Sequence, residues 1–313
     1  MKTFKKLLII FSTSLLLCGC KSKESANEND KDNTSEQTSE VSSTPSGTTP
    51  SGSNTTSDWD DLGPGIDVPS TYEGTYYDGI SDSLRGTDLL NALNSLNSSK
   101  ISHYVTYDGI KTFASKCDID PNNPGRIVGF YDNADLGTSY SSSVWNREHV
   151  WPDSRGGNLV EKDAHMTRPC STKENSKRGS KGFGKDSFDP GYSVSYYRGM
   201  ASRIIFYCAI ANKNLSIEEI VFNRDFNKNT DSAYKNMMGT LSDMLEWNLQ
   251  YLPTTNYEKE ADNKAKRVEL NRNNVIENDA NGQGNRNPFI DHPDYACKIW
   301  GNTNDKTRQI CGY

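Results

Sequence analysis

Between Phe11 and Trp59 the 313-residue chain contains no Phe, Tyr or Trp, and 15 of the 24 residues from Thr34 to Ser57 are Ser or Thr. A stretch of that composition buries too little apolar surface to offset the entropy lost on ordering it. No fold for this chain can rest on its first 65 residues, and 21–65 reads as a disordered Ser/Thr-rich tether. As a flexible coil it would reach about 35–40 Å r.m.s.. The folded domain is expected over 66–313, long enough for one sizeable core.

Residues 1–20 read as an export signal. Lys2, Lys5 and Lys6 precede an apolar run from Leu7 to Leu17, too short to span a bilayer. The run ends Leu17-Cys18-Gly19-Cys20. A small residue before a cysteine, with leucine three positions earlier, resembles the bacterial lipoprotein cleavage box, and Cys20 is the expected lipidated residue. Cys18 fits less well, because Leu17 would occupy its cleavage position. The expectation is an extracytoplasmic monomer, lipid-anchored to the bacterial cell membrane; an ordinary secretory signal is the plainer alternative.

A formal net charge of −6 speaks against a polyanionic partner only if it is evenly spread. The tether holds three Lys against nine acids, while 66–313 holds 29 basic and 32 acidic side chains. The domain is thus near neutral, and Lys173, Lys177, Arg178, Lys181 and Lys185 cluster within it against Glu174 alone. By itself such a cluster is a solvated face.

Periodicity predicts helices over 83–96 (with Leu89, Leu93 and Leu96 on one face), 194–211, 237–251, 257–278 and 294–300, and a short strand over 126–131. The fold class expected is α+β, a mainly helical single domain. With Cys20 lipidated, Cys117, Cys170, Cys208, Cys297 and Cys311 remain, an odd number that leaves at least one free. Cys208, on an apolar helix face, is the expected unpaired one. Cys297 and Cys311 could pair, but the sequence does not establish it. The absence of CxxC argues against a thiolate zinc site.

The chemistry concentrates between Trp145 and Phe183, which holds two of the four histidines. Glu148 next to His149 sets a hard oxygen ligand beside a general base, and an amide downstream, such as Asn175, can add a second oxygen. Two such ligands plus water suit Mg²⁺, and the basic segment nearby suits phosphate. Metal-assisted phosphodiester hydrolysis is chemically coherent with that set. Each element alone is commonplace.

Their order is not. Glu148-His149-x-x-Pro152, Asp163-x-His165-x-x-x-Pro169 and Asn175-x-x-Arg178-Gly179 resemble, in sequence order, the blocks of the bacterial endonuclease I family. These are nonspecific nucleases of the ββα-metal (His-Me finger) group. Phe188-Asp189-Pro190 with Arg198-Gly199-Met200-Ala201-x-Arg203, and Gln283-Gly284-Asn285-Arg286-Asn287-Pro288-Phe289, extend the resemblance over roughly 82–300. Asp189 stands where many relatives have Glu, and the segment between Pro152 and Asp163 is short.

The resemblance implies a domain built around a ββα-metal finger that hydrolyses DNA, with RNA open, to 5′-phosphate ends. In it His149 is the general base, and Glu148 and Asn175 are the ligands of Mg²⁺, with Mn²⁺ or Ca²⁺ as alternatives. Arg147 and Arg168 either contact phosphate or pair with carboxylates, while Arg178 and Lys181 are expected at the nucleic-acid backbone. His165 and His292 read as structural, and Trp145 and Trp151 as core. The competing readings are a noncatalytic nucleic-acid-binding surface lipoprotein that keeps the fold, and a sequence-specific HNH nuclease. The intact Glu148, His149 and Asn175 speak against the first, and the export signal against the second.

Overall fold

The computed structural model describes Trp59 and residues 62–313. The expected signal, Cys20 and nearly all of the tether lie outside the described residues. The described part falls in one compact unit and is mixed α and β with helix predominating. No helix among the described residues is long and apolar enough to cross a membrane.

The core is organised around α4 (Tyr197–Ala211), of which 13 of 15 residues are buried. A helix apolar on nearly every side must be covered on every side. Around it pack α1 (Gly86–Lys100), α5 (Leu241–Gln250), α6 (Glu260–Asn278) and α7 (Pro288–Asp291). The short α8 (Tyr295–Trp300) and α9 (Asp305–Cys311) are joined by a Cys297–Cys311 disulfide, while Cys117, Cys170 and Cys208 are free and buried.

Two strands and a helix follow one another beside this core, with Cys170 packed into it. β1 (Trp145–His149) pairs antiparallel with β2 (Thr167–Ser171), Glu148 opposite Arg168 and His149 opposite Thr167. β2 runs directly into α3 (Thr172–Arg178), which packs against both strands. The junction is a side-chain cap: Ser171 Oγ accepts the Glu174 backbone N–H at 3.2 Å. The remaining sheet is a two-residue parallel pairing of β3 (Ser216–Ile217) with β4 (Met237–Met238), and α2 (Ile110–Cys117) lies against α6.

The predicted helices are present with shifted ends: the one expected over 83–96 runs Gly86–Lys100, and Met237 and Met238, at the start of the one expected over 237–251, form β4. The strand expected over 126–131 is not a strand. Ile127 and Val128 make only isolated bridges, to Ile119 and Asp135. Tyr131 (φ 81°) and Asn133 (φ 58°) turn the chain left-handed and stop any ladder. The helices α2, α7 and α9, of eight, four and seven residues, are not among those predicted; α7 and α9 are too short to show a pattern, while α2 buries Ile110, Phe113, Ala114 and Cys117 along one face.

The C-terminal sequence block folds into a buried polar hub. Gln283 donates to Asp163 (3.0 Å) and accepts the Ala164 N–H (2.5 Å). Asn285 donates to Asn97 (2.6 Å) and Tyr207 (2.7 Å), and Tyr207 donates to Asp163 (2.5 Å). Asn287 caps α7 and donates to the Arg203 carbonyl at 3.1 Å. This hub fixes the turn that feeds β2. His165 sits inside it, with its Nε2 3.3 Å from the Asn285 carbonyl. His292 stacks on Tyr295, and Trp145 and Trp151 are fully buried.

Burial pushes the His165 imidazole down to about 3, from about 6.5 in an unfolded chain. The folded state therefore refuses a proton that the unfolded state takes up. Stability held above pH 6.5 is lost progressively as pH falls toward 3. Between pH 8 and pH 5 this one group should remove about 2 kcal/mol. Asp163, raised by burial, shifts the other way. Urea unfolding at both pH values should show a flatter pH dependence in His165→Gln than in wild type. Parallel pH profiles would refute the assignment.

Candidate active site

β1 ends at His149, so neighbouring side chains leave the sheet edge in different directions. Glu148 turns inward and is 2% exposed. Its Oε1 accepts the Tyr131 hydroxyl at 2.8 Å and lies 3.5 Å from Arg178 Nε. Arg178, equally buried at the end of α3, donates to the Val150 carbonyl at 2.6 Å and the Gly179 carbonyl at 3.1 Å. One guanidinium thereby ties α3 to the residue after β1. Burial lifts the Glu148 carboxyl to about 7, against the opposing pull of Arg178 and the Tyr131 hydrogen bond.

A polar cavity of about 420 Å³ opens above this pair, lined by Asn146, Arg147, Glu148, His149, Asn175 and Arg178 among others. The His149 ring lies over Tyr107, centroids 4.6 Å apart. Its Nε2 is buried without a hydrogen-bond partner and stands 4.0 Å from a Glu161 carboxylate oxygen. Burial lowers its pKa, which keeps the imidazole neutral. Arg147 stacks on the same tyrosine, its guanidinium 3.7 Å from the ring centroid. It also donates to the Tyr107 carbonyl (3.0 Å) and to Asp108 (3.2 Å).

The fit of a divalent ion can be judged from the donors. Glu148 and Asn175 bring a carboxylate and an amide to one cavity. Among the described residues the Asn175 side chain makes no hydrogen bond, so its oxygen is uncommitted. Hard oxygen donors of this kind fit Mg²⁺ or Ca²⁺. A second donor set shares none of these residues: ligand atoms of His149, Asp153 and Glu161 all lie within 4.8 Å of one another. That mixed nitrogen and carboxylate set is of a type transition ions accept.

The structure brings Glu148, His149, Asn175, Arg147 and Arg178 to one cavity, but Arg178, expected at the nucleic-acid backbone, is 1% exposed and its guanidinium is spent on Glu148 and the Val150 and Gly179 carbonyls. The structure does not bring Arg168 there. That side chain is 2% exposed, bound to Asp118 at 2.9 Å and packed against Phe130. Of the two roles open to it, the structure places it in the carboxylate pair. Lys181 lies beside the cavity rather than in its wall, its ammonium on the Lys177 carbonyl at 3.1 Å. Sequence reasoning passed over Tyr131, Tyr107, Asp153 and Glu161. Only Asp153, next to the Pro of the first block, carried a positional hint.

An imidazole, a carboxylate, an amide and two guanidinium groups around one open polar cavity are the equipment of a phosphate-ester hydrolase acting on an anionic substrate. Comparison with known proteins narrows the class. The endonuclease I family model matches residues 87–196. An extracellular ribonuclease of Bacillus amyloliquefaciens is 32% identical over 257 residues, covering 74% of this chain and 80% of that protein. An extracellular ribonuclease of Bacillus subtilis (strain 168) is 28% identical over 255 residues, covering 74% and 81%. No solved structure matches. The chain belongs to the endonuclease I family of nucleases, which act on nucleic acid and generally use a divalent metal.

The Arg-Gly end of α3 has a steric reason. Gly179 has φ 61°, and a Cβ there would stand 2.2 Å from Asp225 Oδ1. That carboxylate accepts the Ser180 N–H at 2.6 Å. Gly179→Ala should cost about 2 kcal/mol or more in urea unfolding. Adding Asp225→Ala should restore only part, since the backbone strain stays. Wild-type stability in Gly179→Ala would contradict this account.

Proposed function

We propose that the chain is an exported, nonspecific endonuclease that hydrolyses phosphodiester bonds of RNA as well as DNA. In this reading Glu148 and Asn175 hold one divalent ion, Mg²⁺ with Mn²⁺ or Ca²⁺ as alternatives, and His149 is the general base. The observation that carries it is the convergence of Glu148, His149 and Asn175 on one polar cavity flanked by Arg147 and Arg178. The names of the two Bacillus relatives support RNA as a substrate and a place outside the cell. Lipid attachment at Cys20 would keep this protein at the membrane while its domain meets nucleic acid as a monomer.

His149 takes a proton from the attacking water, and burial keeps its ring in the neutral form a base requires. Tyr107 packs against the ring at a 34° tilt and restricts its motion. Water adds to phosphorus, the bond to the 3′-oxygen breaks, and the products are a 5′-phosphate and a 3′-hydroxyl. A divalent ion, when bound, supplies Lewis acidity to the phosphate and to the leaving oxygen. Tyr131 and Arg178 grip Glu148 from behind and fix its direction. Arg147, propped on Tyr107, offers a guanidinium to a phosphate oxygen.

Supercoiled plasmid and a structured RNA should both be cut in Mg²⁺ and spared in EDTA. His149→Ala should lower kcat by about 10²–10⁴-fold with unfolding temperature unchanged. Wild-type cleavage by that variant would remove the base from the mechanism. No cleavage by wild type under any divalent ion would favour the binding-only reading. Asn175→Ala should need more Mg²⁺ for half-maximal rate, and an unchanged metal titration would take Asn175 out of the ligand set. In a separate measurement, Cys20→Ser should move the protein from the membrane fraction to the soluble one.

A further inference from the structure

The wall formed by Asp153 and Ser154 has a second side. Beyond it lies a groove of about 570 Å³, bounded by Phe226, Lys228, Ser232 and Lys235, within the size range of small-ligand clefts. Asp153 and Ser154 line the catalytic cavity as well, so a chain leaving one enters the other. The segment on the far side is framed. Arg224 binds Asp231 through 2.6 and 2.8 Å contacts, and Asp231 also accepts the Asn227 N–H at 2.8 Å. The frame is tied to the catalytic side through Ser180. Asp225 accepts the Ser180 N–H, and Ser180 Oγ accepts the Phe226 N–H at 2.7 Å. Behind Phe226 the buried Arg155 guanidinium lies 5.3 Å from the ring centroid.

Lys228 and Lys235 are exposed, and among the described residues neither ammonium group reaches a carboxylate. Their neighbour Arg224 is spent on Asp231. A half-buried aromatic ring backed by a guanidinium, in one groove with two unmatched ammonium groups, is suited to a nucleotide. The ring stacks a base and the cations meet the phosphates on either side of it. A base inside a duplex has both faces covered, so Phe226 can stack only on an unpaired one.

We propose that this groove is a subsite for the nucleotides flanking the scissile phosphate on a single strand, with Phe226 as the stacking platform and Lys228 and Lys235 as backbone contacts. It gives the enzyme a preference for unpaired nucleic acid. The inference rests on the nuclease reading above.

The test is binding of a fluorescent 12-nucleotide single strand and of the matching blunt duplex to full-length protein in EDTA, which separates binding from cleavage. Lys228→Ala with Lys235→Ala should weaken single-strand binding about tenfold or more and flatten the log–log salt slope by about 1.4. Phe226→Ala should weaken the single strand about 5–100-fold and leave the duplex within about twofold. Lys213→Ala, exposed and outside both cavities, serves as the charge control and should bind as wild type. Thermal unfolding verifies that each variant folds. Wild-type affinity in the double lysine variant, or equal losses on single strand and duplex in Phe226→Ala, overturns the subsite while leaving the nuclease reading intact if wild type still cuts in Mg²⁺. A wild type that neither binds nor cuts any strand overturns both.

Discussion

A single buried carboxylate, Asp118, carries two guanidinium groups, and the position of the whole catalytic face follows from it. Arg168 reaches it from β2 at 2.9 Å, and Arg272 reaches it from α6. Arg272 also donates to the Ala164 and Thr167 carbonyls at the start of β2. The β1–β2 ladder is only five residues long, too short to hold register by backbone pairing alone. A slip of one residue would send Glu148 to solvent and His149 into the core. Arg168 stands opposite Glu148, so any slip would also leave a buried ion cluster unpaired, at a cost of about 3–5 kcal/mol. The cluster thus acts less as a source of stability than as a lock on register.

The sequence blocks that carry the family resemblance divide accordingly into two kinds of work. Glu148, His149, Asn175 and Arg178 line the cavity; their types made hydrolysis chemically coherent, and the order of the blocks gave them their expected roles. Arg203, Gln283, Asn285, Arg286 and Asn287 face inward. Arg203 pairs with Glu269 at 2.7 Å with both side chains buried, and Arg286 grips Asp291 at 2.7 Å. Polar residues in a fixed pattern read alike on paper whether they touch substrate or hold the core. What separates them is burial and partner, and the partners can be far along the chain: Gln283 meets Asp163 120 residues away and Asn285 meets Asn97 188 residues away.

The same limit explains what else was and was not legible. The long helices were readable because a buried stripe repeats over many turns. RIVGFY looked like a strand by composition, yet its tyrosine is worth more to the fold as a left-handed residue whose hydroxyl reaches Glu148. That conformation costs about 1–3 kcal/mol and is imposed by tertiary packing that no local rule contains. Arg168 was left between phosphate and carboxylate because its carboxylate, Asp118, lies 50 residues away. Asn175 was placed by the order of blocks, and on α3 it lines the cavity.

The near-neutral charge of the domain follows the same division between committed and uncommitted groups. Arg126, Arg198, Arg203, Arg224, Arg267, Arg272, Arg286 and Arg308 each sit on a carboxylate, so they add rigidity but little outward field. Lys177, Lys181, Lys228 and Lys235 have no carboxylate within ion-pair distance among the described residues. They lie on α3, just after it, and along the framed segment joined to it through Ser180. A polyanion responds to unmatched charge over about a Debye length, ~8 Å at physiological salt, and not to the sum over the chain. Residues 21–65 alone carry three Lys against nine acids, whereas 66–313 carries 29 basic against 32 acidic side chains, so overall acidity says little about attraction at the cavity. That attraction is local, and salt screens it readily.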